Sequence, residues 1–244
     1  MAAVRKIMKI FGTHKIPLAV EHEGFSISAK QDKENIVYHR KCGSDEAERF
    51  ILSKHIGILI HPVEPLNLPK SISSYLFTLF KTKVIIGPRT SRTIYIKFPI
   101  EIGVFLTAKN EYESIDILGL TNPKYTLYGD YRNGAICRYY ESEVFSQLPS
   151  SDIYKEGVME LRIKNSSPEW VTVKQAVFSG FGMKIFFDDT RISMRAEMDI
   201  QSRLNAETDF NDKPPQTGMQ KSRELFLTRK LPLITSKFIM RDGF

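Results

Sequence analysis

Apolar and polar residues alternate with a period of two through most of this chain, and that period predicts strands. The most regular alternation lies in the last third, where Met159, Leu161 and Ile163 face one way and Glu160, Arg162 and Lys164 the other. Val171 and Val173, Ile185 and Phe187, and then Ile192, Met194, Ala196, Met198 and Ile200 extend the same inward face. Strands at such short intervals, each with one wet face, predict an antiparallel sandwich over residues 151–244 that ends in a basic tail.

The first 150 residues carry the same signal less evenly. Strands are predicted at Ile16–Val20, Phe25–Ala29, Asn35–Arg40, Ile56–His61, Ser73–Phe80 and Val84–Ile86. Ile94, Ile96 and Phe98 precede Pro99, and Ile102, Val104 and Leu106 follow it. Proline has no N–H for a ladder, so an edge or bend is expected there. Asp45–Lys54 has Ala47, Phe50 and Ile51 at helical spacing behind a Ser44 or Asp45 cap, and predicts a short helix, although Arg49–Ser53 also suits a strand. In YTLYGDYRNGAICRYY, Asn133-Gly134 suits a type I′ hairpin that sets Arg132 opposite Ala135, Asp130 opposite Cys137 and Tyr128 opposite Tyr139. Residues Glu141–Glu156 read as a linker or a crossing between sheets. The expected fold is therefore all-β and mostly antiparallel, with two β-sandwich-like modules at 1–150 and 151–244 and at most one or two short helices.

Composition adds a compartment and a charge. At 244 residues and 42% hydrophobic, the chain can bury a core without disulfides or metals. Cys42 and Cys137 are too few for a disulfide framework, so reduced thiols and a cytoplasmic setting are expected. Cys42 follows Arg40 and Lys41, which favour its thiolate, whereas Asp130 opposes ionisation of Cys137 in the expected register. Arg5, Lys6 and Lys9 break any signal-peptide core, and no apolar run approaches the about 20 residues of a transmembrane segment. The net charge of +7 is unevenly distributed. Counting Lys and Arg against Asp and Glu gives 20 and 15 in residues 1–150, 8 and 11 in 151–212, and 7 and 2 in 213–244.

Between Pro65 and Ile100 stand Lys70, Lys81, Lys83, Arg89, Arg92 and Lys97 without one Asp or Glu. Such a segment points to an anion. Within it GPRTSRT offers Arg89 and Arg92 for bidentate contact with phosphate or carboxylate, Thr90 and Ser91 as hydroxyls, and Lys81 and Lys83 nearby. Polar hairpin tips are also common simply because they are solvated.

Three other constellations compete. His39, Cys42, His55 and His61 have a finger-like spacing and are legitimate zinc ligands, but the apolar strand between His55 and His61 does not fit a finger, and chance is the commoner origin. Glu64 and Glu101, with His61 beside them, could act as acid and base in a hydrolase, although salt bridging to the basic run is the usual fate of such carboxylates. Tyr128, Tyr131, Tyr139 and Tyr140, interleaved with Arg132 and Arg138, suit nucleic-acid stacking, yet tyrosines also fill half-buried strands. No nucleophile elbow, phosphate loop or dinucleotide fingerprint occurs, and no cofactor is implied.

PVEP at Pro62–Pro65, PIEIGVF at Pro99–Phe105 and YGDYRNGAICRYYES at Tyr128–Ser142 resemble an archaeal family of β-rich cytosolic proteins of unknown function. Some of its members stand beside or are joined to small mechanosensitive channels, so the resemblance implies an accessory or regulatory role at a membrane and no particular chemistry. The residues favour a non-enzymatic binding or regulatory module for an anionic ligand, and the resemblance implies a membrane-linked partner as the other choice. A nucleic-acid-binding protein and a hydrolase using Glu64 and Glu101 are the alternatives.

Overall fold

The computed structural model describes residues 9–53, 56–109, 111–225 and 237–244. Strands β1 to β6 are Gly12–His14, Leu18–His22, Phe25–Asp32, Asn35–Cys42, Asp45–Ile51 and Gly57–Val63. Then come β7 Tyr75–Ile86, β8 Ser91–Pro99, β9 Glu101–Ala108, β10 Glu111–Leu118, β11 Lys124–Tyr128, β12 Ala135–Ser142 and β13 Val144–Phe145. The chain continues as β14 Glu156–Asn165, β15 Val171–Ser179, β16 Phe186–Phe187, β17 Ile192–Ile200, β18 Ala206–Asn211, β19 Gln220–Lys221 and β20 Phe238–Met240. Among the described residues the only helical element is one 3-10 turn at Gly180–Gly182, and no helix is long and apolar enough to cross a membrane. The all-β expectation holds.

The chain divides into two compact units. Unit 1 takes residues Met1–His61 and Ile102–Leu120, and unit 2 takes Pro62–Glu101 and Thr121–Phe244. A boundary at 150 is not among these bounds, because β8 pairs with β14 and β7 with β15, so strands from either side of that point share sheets.

In unit 1, β2-β3-β4-β5 form an antiparallel meander, and β6, β9 and β10 lie in a second sheet ordered β1-β6-β9-β10. The expected helix at Asp45–Lys54 is the strand β5, paired with β4 from Cys42↔Asp45 to Ile36↔Ile51. Gly43, at φ 60°, turns the chain in a two-residue loop that a helix cap at Ser44 would preclude. Inside the unit, Arg40 bonds Asp116 through Nε (2.9 Å), and Tyr38 donates its hydroxyl to the same carboxylate at 2.9 Å. This buried cluster holds β4 to the bulge at Ser114/Asp116 in β10.

Among the described residues, unit 2 has two sheets, β11-β12-β7-β15 and β13-β8-β14-β17-β16-β19, with β18 and β20 continuing from β17. Phe178 of β15 and Phe210 of β18 pack at 5.3 Å, and Thr208 donates its hydroxyl to the Val177 carbonyl. The residues expected to face inward are buried, from Met159, Leu161 and Ile163 through Ile192, Met194 and Met198. The fold is mostly antiparallel, as expected; the exception inside the segment expected to form an antiparallel sandwich is β14 with β17, which pair in parallel, and β7 and β12 earlier in the chain do the same. Burial of Val158 and Ser193 beside their inward neighbours covers both faces at the start of this parallel pair, as such pairs require.

The hairpin register also differs from expectation. Tyr128 lies opposite Ala135, Thr126 opposite Cys137 and Lys124 opposite Tyr139. The loop is longer than a two-residue turn because Asp130 captures it: its carboxylate accepts the N–H groups of Arg132 and Asn133, and its carbonyl accepts that of Gly134. Cys137 is thus opposed by Thr126, and burial alone pushes its thiol up to about 12. Burial raises Cys42 as well, with Arg40 acting in the other direction. Half-buried Cys42 is expected to react with an aromatic disulfide reagent about tenfold faster than fully buried Cys137 under native conditions. Equal rates would show that the β11–β12 edge opens readily.

Candidate functional site

Strands β7, β14 and β17 run to one end of unit 2, and three turns follow them there: 87–90, 166–170 and 201–205. Asn165 locks the first two together. Its side chain is fully buried and donates to the carbonyls of Gly87 (2.9 Å) and Glu169 (2.7 Å), while its oxygen accepts the N–H and hydroxyl of Ser167. The Arg89 N–H donates to Ser167 O, and the Asn165 N–H to Thr90 O. The third turn joins through Ser166 N–H to Ile200 O and an Arg203–Glu169 ion pair.

This braced end carries the predicted anion motif. Arg89 has φ 51°, a left-handed conformation that costs a side chain-bearing residue about 1–2 kcal/mol. Arg89 and Arg92 are exposed, and no carboxylate pairs with them or with Arg162 among the described residues. Thr90 and Ser91 are engaged within the protein: Thr90 donates to Gly87 O at 2.8 Å, and Ser91 Oγ accepts Arg162 Nε at 3.1 Å. Arg162 is a cation that the motif alone could not reveal, because it arrives through the register Thr93↔Arg162. Lys81 and Lys83 are exposed further back on β7, where four residues bulge between Leu79 and Val84, and Lys81 pairs with Glu143 at 3.1 Å.

Three large apolar side chains project at the same end. Trp170 is 70% exposed and lies beside Gly87, where an added Cβ would meet its ring at 3.4 Å; Ile85 is 68% and Leu204 62% exposed. The charges of Glu169 and Asp199 nearby are already matched by Arg203 and Lys164. The end therefore combines unmatched guanidinium groups with unburied apolar surface.

The remaining candidates occupy other places. Glu64 and Glu101 are both buried in unit 2, and backbone N–H groups hold both. Leu225 donates to Glu64 at 3.2 Å, and Asn67 and Leu68 donate to Glu101 at 3.1 and 3.3 Å. Burial pushes each carboxyl up to about 7, against those hydrogen bonds. His61 is buried in β6. His39 lies in β4 and Cys42 at its end, while His55 falls outside the described residues. Among the described residues no group of three or more His, Cys, Asp or Glu side chains is placed to hold a metal.

The tyrosines do not form a common platform. Tyr128 accepts the Asp242 N–H and donates to the Gly243 carbonyl, Tyr139 stacks on Phe77, and Tyr140 donates to Glu156 at 2.7 Å. Tyr131 stays exposed beneath Arg132.

No curated protein and no solved structure matches this chain. A family model described as a protein of unknown function, DUF432, matches residues 10–241, nearly the whole length, and the chain belongs to that family.

Proposed function

We propose that this protein is a cytoplasmic, non-enzymatic binding module that attaches reversibly to an anionic membrane surface by the three-turn end of unit 2. The observation that carries the reading is the exposure of Trp170, Ile85 and Leu204 together with Arg89 and Arg92 at an end of unit 2 where one buried asparagine ties two turns together. Indole and guanidinium groups suit the headgroup region, where an apolar body and a polar or charged tip are both accommodated. Each cation contributes about 1 kcal/mol at an anionic leaflet, and each apolar side chain up to about 1.5–3 kcal/mol if fully withdrawn from water. Such a sum supports attachment that salt can reverse. The membrane-side role implied by the resemblance agrees with this.

Co-sedimentation with phosphatidylcholine vesicles, with and without phosphatidylserine, tests it. Binding is expected only to the anionic vesicles, to weaken as salt is added, and to be lost in Arg89→Ala with Arg92→Ala and in Trp170→Ala. Equal attachment to neutral vesicles, or attachment that survives those changes, overturns the reading. Release by single-stranded DNA with a steep salt slope would instead favour a nucleic-acid partner.

A further inference from the structure

At the other end of the unit 2 strands, Arg138 forms part of the wall of a cleft of about 200 Å³, together with Lys124, Thr121, Asn122, Tyr139 and Tyr140. Arg138 lies opposite Leu76 at the start of β7, while the anion motif follows Ile86 at its end. Ten residues of strand separate the two places by roughly 30 Å. The cleft is therefore a second location, independent of the membrane-facing turns.

The Arg138 side chain is 4% exposed, and a guanidinium so buried needs a counter-charge and partners for its five N–H donors. The protein supplies these incompletely. One terminal nitrogen donates to Leu68 O at 3.3 Å and the other to Thr121 Oγ1 at 3.4 Å, both long contacts. Glu101 is the only acidic partner among the described residues, and its nearest oxygen stands 3.7 Å away, beyond hydrogen-bond reach. Both Glu101 oxygens are turned to the backbone N–H groups of Asn67 and Leu68. Burial also raises the Glu101 carboxyl to about 7, so its charge is partly lost near neutrality.

Arg138 lines the cleft, and so does Lys124, a second cation with no carboxylate paired to it among the described residues. We propose that the cleft binds a small oxyanion, a carboxylate or phosphate group, whose charge is received by Arg138 and Lys124. Thr121 and Asn122 supply neutral hydrogen-bond partners, and the tyrosine walls accept a compact apolar body. At about 30 Å³ per water the cleft holds about seven waters, which limits the ligand to roughly that many heavy atoms or slightly more. Glu141 on the rim disfavours polyanions.

Calorimetric titration of the full chain in Tris chloride with acetate, succinate and inorganic phosphate tests this. At least one probe is expected to saturate, and the pattern among the three distinguishes carboxylate from phosphate. Lys124 is exposed, so Lys124→Glu keeps the fold and is expected to weaken binding about tenfold or more. Glu101→Gln keeps an acceptor for the backbone and is expected to tighten binding, as is lowering the pH through 7 with acetate or succinate. Arg138→Gln combined with Glu101→Gln removes both buried charges together and is expected to abolish binding in a folded protein. The proposal is overturned if no probe saturates, if Lys124→Glu and the double variant bind like the parent, or if Glu101→Gln weakens binding.

Discussion

Asn165→Leu is expected to lower the unfolding free energy by about 4 kcal/mol, measured by urea denaturation, and to abolish vesicle attachment in whatever protein remains folded. Leucine keeps the branched outline of asparagine but has bulkier methyl groups, so any packing strain comes on top of the lost hydrogen bonds. The substitution strands the Gly87 and Glu169 carbonyls and the Ser167 N–H and hydroxyl, all of which Asn165 satisfies within a buried turn. Each orphaned group costs about 1–3 kcal/mol, and partial access to water at the turn recovers some of that total. Arg89→Ala with Arg92→Ala should remove attachment with little change in stability, because both side chains are exposed. A loss below about 1 kcal/mol for Asn165→Leu would mean that the turns do not depend on this side chain.

Glu64→Gln and Glu101→Gln should each stabilise the protein at pH 8, by about 2–3 kcal/mol, and leave it unchanged near pH 4. The sign follows from the protons. Burial raises both carboxyls to about 7, while in the unfolded chain they ionise near 4.5. Between those values the folded state holds protons that the unfolded state has released, so stability falls as pH rises through the window and levels off above 7. Lys184 faces Glu64 and partly offsets the cost of its charge, whereas Glu224 adds to it; Arg138 plays the offsetting part for Glu101. Subtracting the parent's pH profile from the variant's isolates each group from the surface carboxylates. A variant less stable than the parent at pH 8 would show that the ionised carboxylate is an essential anchor for its backbone N–H partners.

Alternation identified the faces of strands far better than it identified their neighbours. Met159, Leu161 and Ile163 could be assigned to the core because a period of two reports burial directly. The parallel pairing of β14 with β17 left no mark in either strand, since the same apolar run serves a parallel or an antiparallel partner. At Asp45–Lys54 the apolar residues fitted both periods, and the decision came from Gly43 outside the segment. The Asn133-Gly134 signal was overridden by Asp130, whose carboxylate organises a longer loop. The anion motif was visible as a local run of residues, but Arg162 and Trp170 reach it only through strand pairing. Arg138 and Glu101, 37 positions apart, could be linked only by the fold.

The interleaving of the two units has a consequence for the order in which the protein is made. Among the described residues, strands β2 to β5 pair only with their immediate neighbours in sequence, so that sheet can close once Ile51 has cleared the ribosome. Strand β7 must wait for β12 and β15, and β8 for β13 and β14, after the ribosome has first made the part of unit 1 at residues 102–120. Translation from Pro99 to Asn165 takes roughly 3–13 seconds at cellular rates. During that interval Leu76, Phe77, Ile94, Ile96 and Phe98, all destined for the core, lack the sheets that will cover them. For those seconds the nascent chain exposes apolar surface of the kind that holdase chaperones cover.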